Sequence, residues 1–533
     1  MNILMIYPKF PDQIFWNTRH TGELFVHRRG IMPPLGLLTI ASYLPDDFQV
    51  RLIDRNVREE SAADWEWADV ILVSMMVTQL GDYRVCVDQA RRHGKPIAVG
   101  GPFTHAMPEV ASADAAWVCF GEAETMMDEF VSDLRAARRG KQYQGGNTTN
   151  MQAIPLPRFD LLPDINDYCS MAIQFSRGCP FRCEFCDIIE IYGRVPRTKT
   201  PAQILAELTA LQQLGYQGYV FLVDDNFIGN KKNAKVMLKE LAVWNDDHGY
   251  PFRFYTEASI NLADDDELLE AMSHANFLHV FIGIETPDPA LLKTTLKVQN
   301  IPGNPLDKLR KVRAHGIHIT AGFILGFDGE TRGVFEAQRA FIQASGIGIA
   351  MTGLLQAIPH TQLYRRLQSE GRLLEKTSVQ VNTTVEGLNF IPKGEMTKRE
   401  YLQRYRDLVQ EIYGPKAYFE RILPALLTLR STAPRRVIYQ QWRRYFPTLL
   451  RLFYHLGLKA KGARGYFWKT FFQVLGKNPA ALEAWGYDCF YFHHLNQHAE
   501  YIQRALSRYL ASPSPDDVLD QVVRDSEPLN AAG

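Results

Sequence analysis

Arg177-Gly178-Cys179-Pro180-Phe181-Arg182-Cys183-Glu184-Phe185-Cys186 is the stretch from which the rest of the chain is read. Its three cysteines are spaced CxxxCxxC and follow directly on the apolar run Met171 to Phe175, so the loop hangs from the carboxyl end of a buried-type strand. Three thiolates on one short loop can hold three irons of a [4Fe-4S] cluster, and with no fourth cysteine nearby one iron stays open to a small ligand. Structural zinc is the alternative, but it closes a tetrahedron with four Cys or His ligands. The nearest extra thiol, Cys169, lies ten residues before Cys179, beyond the apolar run. Cys86, Cys119, Cys169 and Cys489 are scattered without the rhythm of a disulfide framework.

Phe185 immediately before the last cysteine completes a CxxxCxΦC pattern (Φ, aromatic), and the segment resembles the signature of the radical S-adenosylmethionine (SAM) enzymes. The resemblance implies a [4Fe-4S] cluster on Cys179, Cys183 and Cys186, SAM at the open iron, and a partial (β/α)6 barrel around them.

The chain has 533 residues, more than one hydrophobic core usually organises, and its apolar and charged fractions of 46% and 22% are those of a soluble globular protein. Lys plus Arg equals Asp plus Glu at 59 each, yet Pro415 to Ala480 holds thirteen basic residues against the single acid Glu420. Met1-Asn2-Ile3-Leu4-Met5-Ile6-Tyr7-Pro8 begins directly as a buried-type strand without a basic leader, and no run of eighteen apolar residues occurs. A cytoplasmic protein is expected, possible contact with the inner membrane face included.

Over residues 1–145 the short apolar runs Ile3 to Tyr7, Val50 to Asp54, Val70 to Ser74, Ile97 to Gly100 and Ala116 to Phe120 alternate with helical patterns. Five strands interleaved with helices describe an α/β unit with a doubly wound parallel sheet, whose ligands sit beyond the strands' carboxyl ends. Those ends carry Met32-Pro33-Pro34-Leu35-Gly36, Ser74-Met75-Met76, Gly100-Gly101-Pro102-Phe103 and Phe120-Gly121-Glu122-Ala123-Glu124. Each alone is ordinary turn chemistry. Together, ahead of the Cys loop, they resemble the cobalamin-binding domain of the cobalamin-dependent radical SAM enzymes. That resemblance implies cobalamin contacts at Pro34, Gly36, Ser74, Gly100, Gly101, Pro102, Gly121 and Glu122. The DxHxxG motif that supplies an imidazole to cobalt in many cobalamin proteins is missing: His20, His27, His93 and His105 all lack the flanking Asp and Gly. The lower face of the corrin is therefore expected to carry water or nothing.

Residues 146–168, rich in Gly, Asn, Thr and Pro, read as a linker. Over 169–392 the alternation resumes with strands at Met171 to Phe175, Tyr219 to Val223, Arg253 to Ser259, His279 to Ile284, His318 to Leu325 and Ile349 to Ile358. Thr200-Pro201-Ala202-Gln203 is a capping box with proline at the first helical position. Catalytic groups of such barrels sit at the strands' carboxyl ends. Asp224, Asp225, Glu257, Glu285 and the Gly322 to Gly326 segment fall there or close by. A carboxylate at a strand end can equally cap the following helix. The resemblance places Asp224 and Asp225 at the methionine amino group, Glu285 at the ribose, Glu257 in the same SAM site, the Phe185 backbone at the adenine, and Gly322 and Gly326 beside it. Arg194, Arg197 and Lys199 read as a solvated turn, with anion contact as the alternative.

Residues 393–533 are dominated by helical periodicity. Pro415 to Ala480 interleaves its basic residues with Tyr418, Phe419, Tyr439, Trp442, Tyr445, Phe446, Phe453, Tyr454, Phe467, Trp468, Phe471 and Phe472. A helical cap with inward-packed aromatics, a membrane-surface helix, a substrate channel and a nucleic-acid surface all fit that composition. Ser512 to Gly533 is polar and expected to fray.

Phe221 to Asn230, Gly193 to Lys199 and the C-terminal extension resemble the methylases that include the hopanoid C-2 methylase. The implied activity is cobalamin-dependent methylation of an unactivated carbon in a small, apolar or lipid-like molecule. An electron donor such as a flavodoxin or ferredoxin is implied, and no nucleic acid. A tetrapyrrole methylase or cyclase shares the two domains, an RNA-modifying enzyme would bring a second cysteine triplet, and a cobalamin sensor would not need the first.

Overall fold

The computed structural model describes residues 1–12, 14–17, 29–374, 387–430 and 446–511. Its first unit is a six-stranded sheet of β1 (Asn2–Tyr7), β2 (Gln49–Asp54), β3 (Val70–Ser74), β4 (Ile97–Gly100), β5 (Trp117–Phe120) and β6 (Lys141–Gln144), all parallel, in the order β2-β1-β3-β4-β5-β6. Alternation of side chains divides the central strands between two cores. Ile3, Met5, Val70 and Leu72 point to one face, and Leu4, Ile6, Ile71 and Val73 to the other. The strand order reverses between β1 and β3, which opens a crevice at their carboxyl ends.

One strand exceeds the sequence expectation. β6 is an edge strand of sequence Lys-Gln-Tyr-Gln in which only Tyr143 is buried, so no apolar run announces it; pairing with β5 recruits it.

The second sheet contains β7 (Ser170–Ile173), β10 (Gly218–Leu222), β11 (Phe252–Ala258), β12 (Phe277–Glu285), β13 (His318–Leu325) and β14 (Ala350–Leu354), parallel and in sequential order. It is the opened (β/α)6 arrangement. β7 and β10 to β13 stand within two residues of the expected positions, and β14 ends four residues early. The Thr200–Gln203 capping box forms at the start of helix Pro201–Gln213. Between β7 and β10 the antiparallel pair β8 (Ser176–Arg177) and β9 (Arg197–Thr198), unannounced by the sequence, frames the Cys loop.

The C-terminal part is helical, with Lys398–Ile412, Pro415–Thr428, Arg464–Lys477 and the 29-residue Leu482–Leu510. The last helix lies across the amino-terminal ends of the barrel strands. Arg253 at the start of β11 pairs with Glu483 at 2.5 Å, and His318 at the start of β13 meets Asp488 at 3.1 Å. The same helix reaches the first unit, where His494 Nε2 and the Phe15 carbonyl are 2.6 Å apart. Tyr418, Phe419 and Phe467 are core, whereas Phe446, Tyr454 and Phe472 are exposed. Tyr439, Trp442 and Tyr445 lie outside the described residues, as do His20, His27 and Ser512 to Gly533. Among the described residues no helix is long and apolar enough to cross a membrane.

Candidate functional site

The chain leaves β7 because a carboxylate on the neighbouring strand takes its backbone donors. Asp224, just beyond β10, accepts from the N–H groups of Phe175 and Ser176 at 2.8 Å each and from the Ser176 hydroxyl at 2.6 Å. Burial pushes its pKa up to about 7, against these donors. The loop that follows turns at Gly178, whose φ of 90° and a would-be Cβ 2.9 Å from the Val195 carbonyl leave room only for glycine. Cys179 N–H donates to the Gly193 carbonyl, and Cys186 N–H to the Cys183 carbonyl, at 3.2 Å each.

Two side-chain amides approach the sulfurs. Asn226 Nδ2 lies 3.8 Å from Cys179 Sγ and Gln299 Nε2 lies 3.5 Å from Cys183 Sγ. Donors of this kind stabilise charge on sulfur and tune a cluster. Burial raises the Cys179 and Cys186 thiols above the ordinary cysteine value. Among the described residues no three Cys, His, Asp or Glu side chains converge as a single ion requires. Three thiolates on one loop suit a cluster that takes one iron per thiolate, whereas structural zinc takes four Cys or His ligands.

Beside this loop lie the acids. Asp225 Oδ2 is buried with no partner, and burial, then Glu257, then Asp224 raise its pKa to about 8. Glu257 is raised to about 7 by burial and by Glu285, with Lys297 pulling the other way. Glu285 occupies a left-handed conformation (φ 65°) at a register break in the β12–β13 pairing and forms an ion pair with Lys297. The Lys297 ammonium also lies 5.8 Å from the centroid of the Phe185 ring, tying the acid to the Cys loop. Glu285 thus has its own cation, while Asp225 presents an unpaired buried oxygen suited to an incoming ammonium. Gly322 faces the Phe281 ring, 3.0 Å from where a Cβ would stand, with a Glu285 oxygen at 4.0 Å. Gly326 is packed against Leu388, and its N–H donates to Glu330 at 2.8 Å.

The glycine-rich loops of the first unit divide into two groups. Gly36, in the first turn of helix Leu35–Ala41 after Pro34, stands beside Ser74 at the end of β3. Gly101, with φ 85°, closes on the same serine, its would-be Cβ 2.6 Å from Ser74 Oγ, and Gly100 and Pro102 flank it. These residues line the β1/β3 side of the sheet and leave backbone without side chains there. Gly121 instead packs against the Gly145 carbonyl, joining the ends of β5 and β6.

Glu122 belongs to the seam between the two sheets. It accepts from Thr149 N–H at 2.9 Å and from Arg197 at 2.8 Å, and two residues on Glu124 pairs with Arg177 at 2.5 Å. Both arginines sit on the β8–β9 frame of the Cys loop. The solvated turn read at Arg194, Arg197 and Lys199 holds for Arg194, which is exposed and donates to the Pro180 carbonyl at 3.1 Å, and is corrected for the other two: Arg197 is held by Glu122 and Lys199 is buried on Glu207. Glu122 lies 75 residues from Arg197, beyond a linear reading, whereas Glu207 is eight residues after Lys199 in the helix that follows.

Below the acids the barrel holds a cluster of aromatics. Phe221 and Tyr255 stack at 4.5 Å, Trp16 meets Phe281 at 5.9 Å, and Tyr487 meets Tyr491 at 4.8 Å. Phe221, Tyr255, Phe281, Tyr487 and Tyr491 are each half-buried where the strands meet the last helix. The Arg253–Glu483 and His318–Asp488 pairs form its floor, where burial holds His279 well below its usual pKa and so neutral. Sequence reasoning missed Asn226, Lys297, Gln299 and Glu330. Asn226 adjoins the Asp224-Asp225 pair and was within reach; Thr294 to Asn300 carries no motif.

Comparison with known proteins agrees with this geometry. Residues 24–131 match the B12 binding domain, 173–340 the radical SAM superfamily, and 361–508 a domain of unknown function (DUF4070). The chain is 40% identical over 528 residues to an uncharacterized methyltransferase of Synechocystis sp., covering 98% of this chain and 97% of that one. It is 34% identical over 476 residues to the hopanoid C-2 methylase of Rhodopseudomonas palustris, covering 88% of each. Among solved structures, the cobalamin-dependent SAM radical enzyme OxsB, with aqua-cobalamin and SAM bound, aligns over 98% of this chain and 83% of its own with a TM-score of 0.59 at 15% identity, a likeness of fold. The chain belongs to the cobalamin-dependent radical SAM methyltransferases.

Proposed function

We propose that this enzyme methylates an unactivated carbon of an apolar polycyclic lipid of the hopanoid class. The observation that carries the reading is the cluster of aromatic side chains between the barrel strands and the last helix, whose flat and edge-on rings suit a rigid hydrocarbon. The 34% identity to a hopanoid methylase supports it. When bound, the cluster and cobalamin supply the one-electron cleavage of SAM and the transferable methyl group.

The protein's own residues bind, orient and keep water out. Cys179, Cys183 and Cys186 hold the cluster, with Asn226 and Gln299 donating to two sulfurs. Asp225 and Glu257 receive the SAM ammonium, Glu285 steadied by Lys297 receives ribose hydroxyls, and Phe185 and Gly322 border the adenine. Asp224 acts one step back, as a positioning residue that sets the loop's departure from β7. Pro34, Gly36, Ser74, Gly100, Gly101 and Pro102 let the corrin approach backbone. In this division of labour residues 1–145 carry cobalamin, 169–392 SAM and the cluster, and 393–533 cover the aromatic side chains. The enzyme works in the cytoplasm with a flavodoxin- or ferredoxin-type donor.

The test is anaerobic incubation of reconstituted protein with methyl-labelled SAM, a reductant and either a hopanoid or a chlorophyll precursor. Label in the hopanoid is the expected result. Label in the tetrapyrrole alone overturns the substrate reading.

A further inference from the structure

We infer that the helical hairpin formed by residues 446–477 is a docking face for an anionic lipid bilayer. The inference is independent of the substrate. Residues 446–459 form a helix that widens to π-type winding at Phe453–Lys459, followed by helix Arg464–Lys477. Leu452, Leu456, Phe467, Thr470 and Val474 face inward. Outward, every fourth residue of the first helix is a large apolar one: Phe446, Leu450, Tyr454 and Leu458 are 51%, 50%, 48% and 63% exposed. Phe472 and Leu475 of the second helix add 61% and 43%. Scattered exposed apolar residues are ordinary, but two adjacent helices presenting a row of them mark an interaction surface.

Charge selects the partner. Between Phe446 and Ala480 there are six cations (Arg451, Lys459, Lys461, Arg464, Lys469, Lys477) and no acid. The Lys459 ammonium sits 4.5 Å from the centroid of the Tyr454 ring, beside the apolar row. Apolar side chains flanked by lysine and arginine, with no acid in the hairpin itself, describe a helix that lies in a headgroup layer. Nucleic-acid surfaces offer cations and flat rings but have no use for exposed leucines such as Leu450, Leu458 and Leu475. The face also lies one layer from the aromatic cluster: Phe467 and Phe471 pack on Trp485, two residues from Tyr487.

The experiment is flotation of the full-length protein with phosphatidylcholine vesicles containing or lacking phosphatidylglycerol. Binding to the anionic vesicles is expected, weakening by about fivefold for each cation reversed (K459E, K461E) and by about tenfold or more for the L458S/F472S pair. These side chains are exposed, so unchanged thermal unfolding of each variant verifies the fold. Failure to float with any vesicle, floating unaffected by all the variants, or salt-sensitive retention of RNA in place of vesicles would each overturn the inference.

Discussion

Replacing Glu122 with glutamine tests whether this residue is a clamp between the sheets or a cofactor contact. Its carboxylate is buried against Arg197, whose side chain is 16% exposed, and accepts the Thr149 N–H at 2.9 Å. Glutamine keeps the shape and one acceptor but leaves the guanidinium facing a neutral amide. Breaking a buried pair from one side costs about 3–5 kcal/mol. Arg197 keeps the Thr149 and Tyr192 carbonyls as partners at 3.0 and 2.9 Å, so we expect the lower end, about 3 kcal/mol, or over a hundredfold in local opening. Because Arg197 pairs with Arg177 across β8–β9, that opening should appear as faster amide exchange over residues 176–198. Arg197 holds the Glu122 pKa below its ordinary value, so its stabilisation is complete above the unfolded carboxylate pKa and fades as pH falls through the lowered one. A double-mutant cycle with Arg197→Met, read by denaturant unfolding and exchange, isolates the pair. Unchanged stability and exchange in E122Q, together with weakened cobalamin binding, would refute the clamp.

Three further outcomes are expected. Asp224→Asn presents an N–H₂ to backbone donors, at a cost of about 1–3 kcal/mol, and should lower iron per chain after reconstitution while the loaded fraction binds SAM normally; a selective loss of SAM affinity would return Asp224 to the ligand set. At about pH 7 a carboxyl with a pKa near 8, as at Asp225, is about nine-tenths protonated, so docking a cation should release close to one proton; binding heat that does not vary with buffer ionisation enthalpy would contradict this. Gly101→Ala, at φ 85° and against Ser74, should destabilise the first unit by about 1–3 kcal/mol, whereas Gly36→Ala, whose nearest neighbour would be 3.9 Å away, should leave unfolding unchanged; equal effects would show that crowding at Ser74 does not decide the site.

The cysteine spacing, the apolar runs of both sheets and the Thr200 capping box were legible because each depends on residues within one turn or one strand. β6 escaped notice because a polar edge strand acquires its identity from the strand it joins. Glu122 drew attention by its place at a strand end, but its partner is 75 residues away. Lys199, read as solvated, is buried on Glu207 only eight residues on, once the helix Pro201–Gln213 packs on the sheet. Lys297 reaches Glu285 only because the chain returns to the mouth of the barrel after β12.

Legible in the chain alone were the apolar strands of both sheets in their order, the cysteine triplet and the family to which they point. Tertiary structure alone decided which acids are paired and which are not, and it made the aromatic cluster from strands and a helix more than two hundred residues apart. The reason is physical: periodicity and loop spacing are set by local backbone geometry, whereas burial and charge pairing exist only after distant segments have packed.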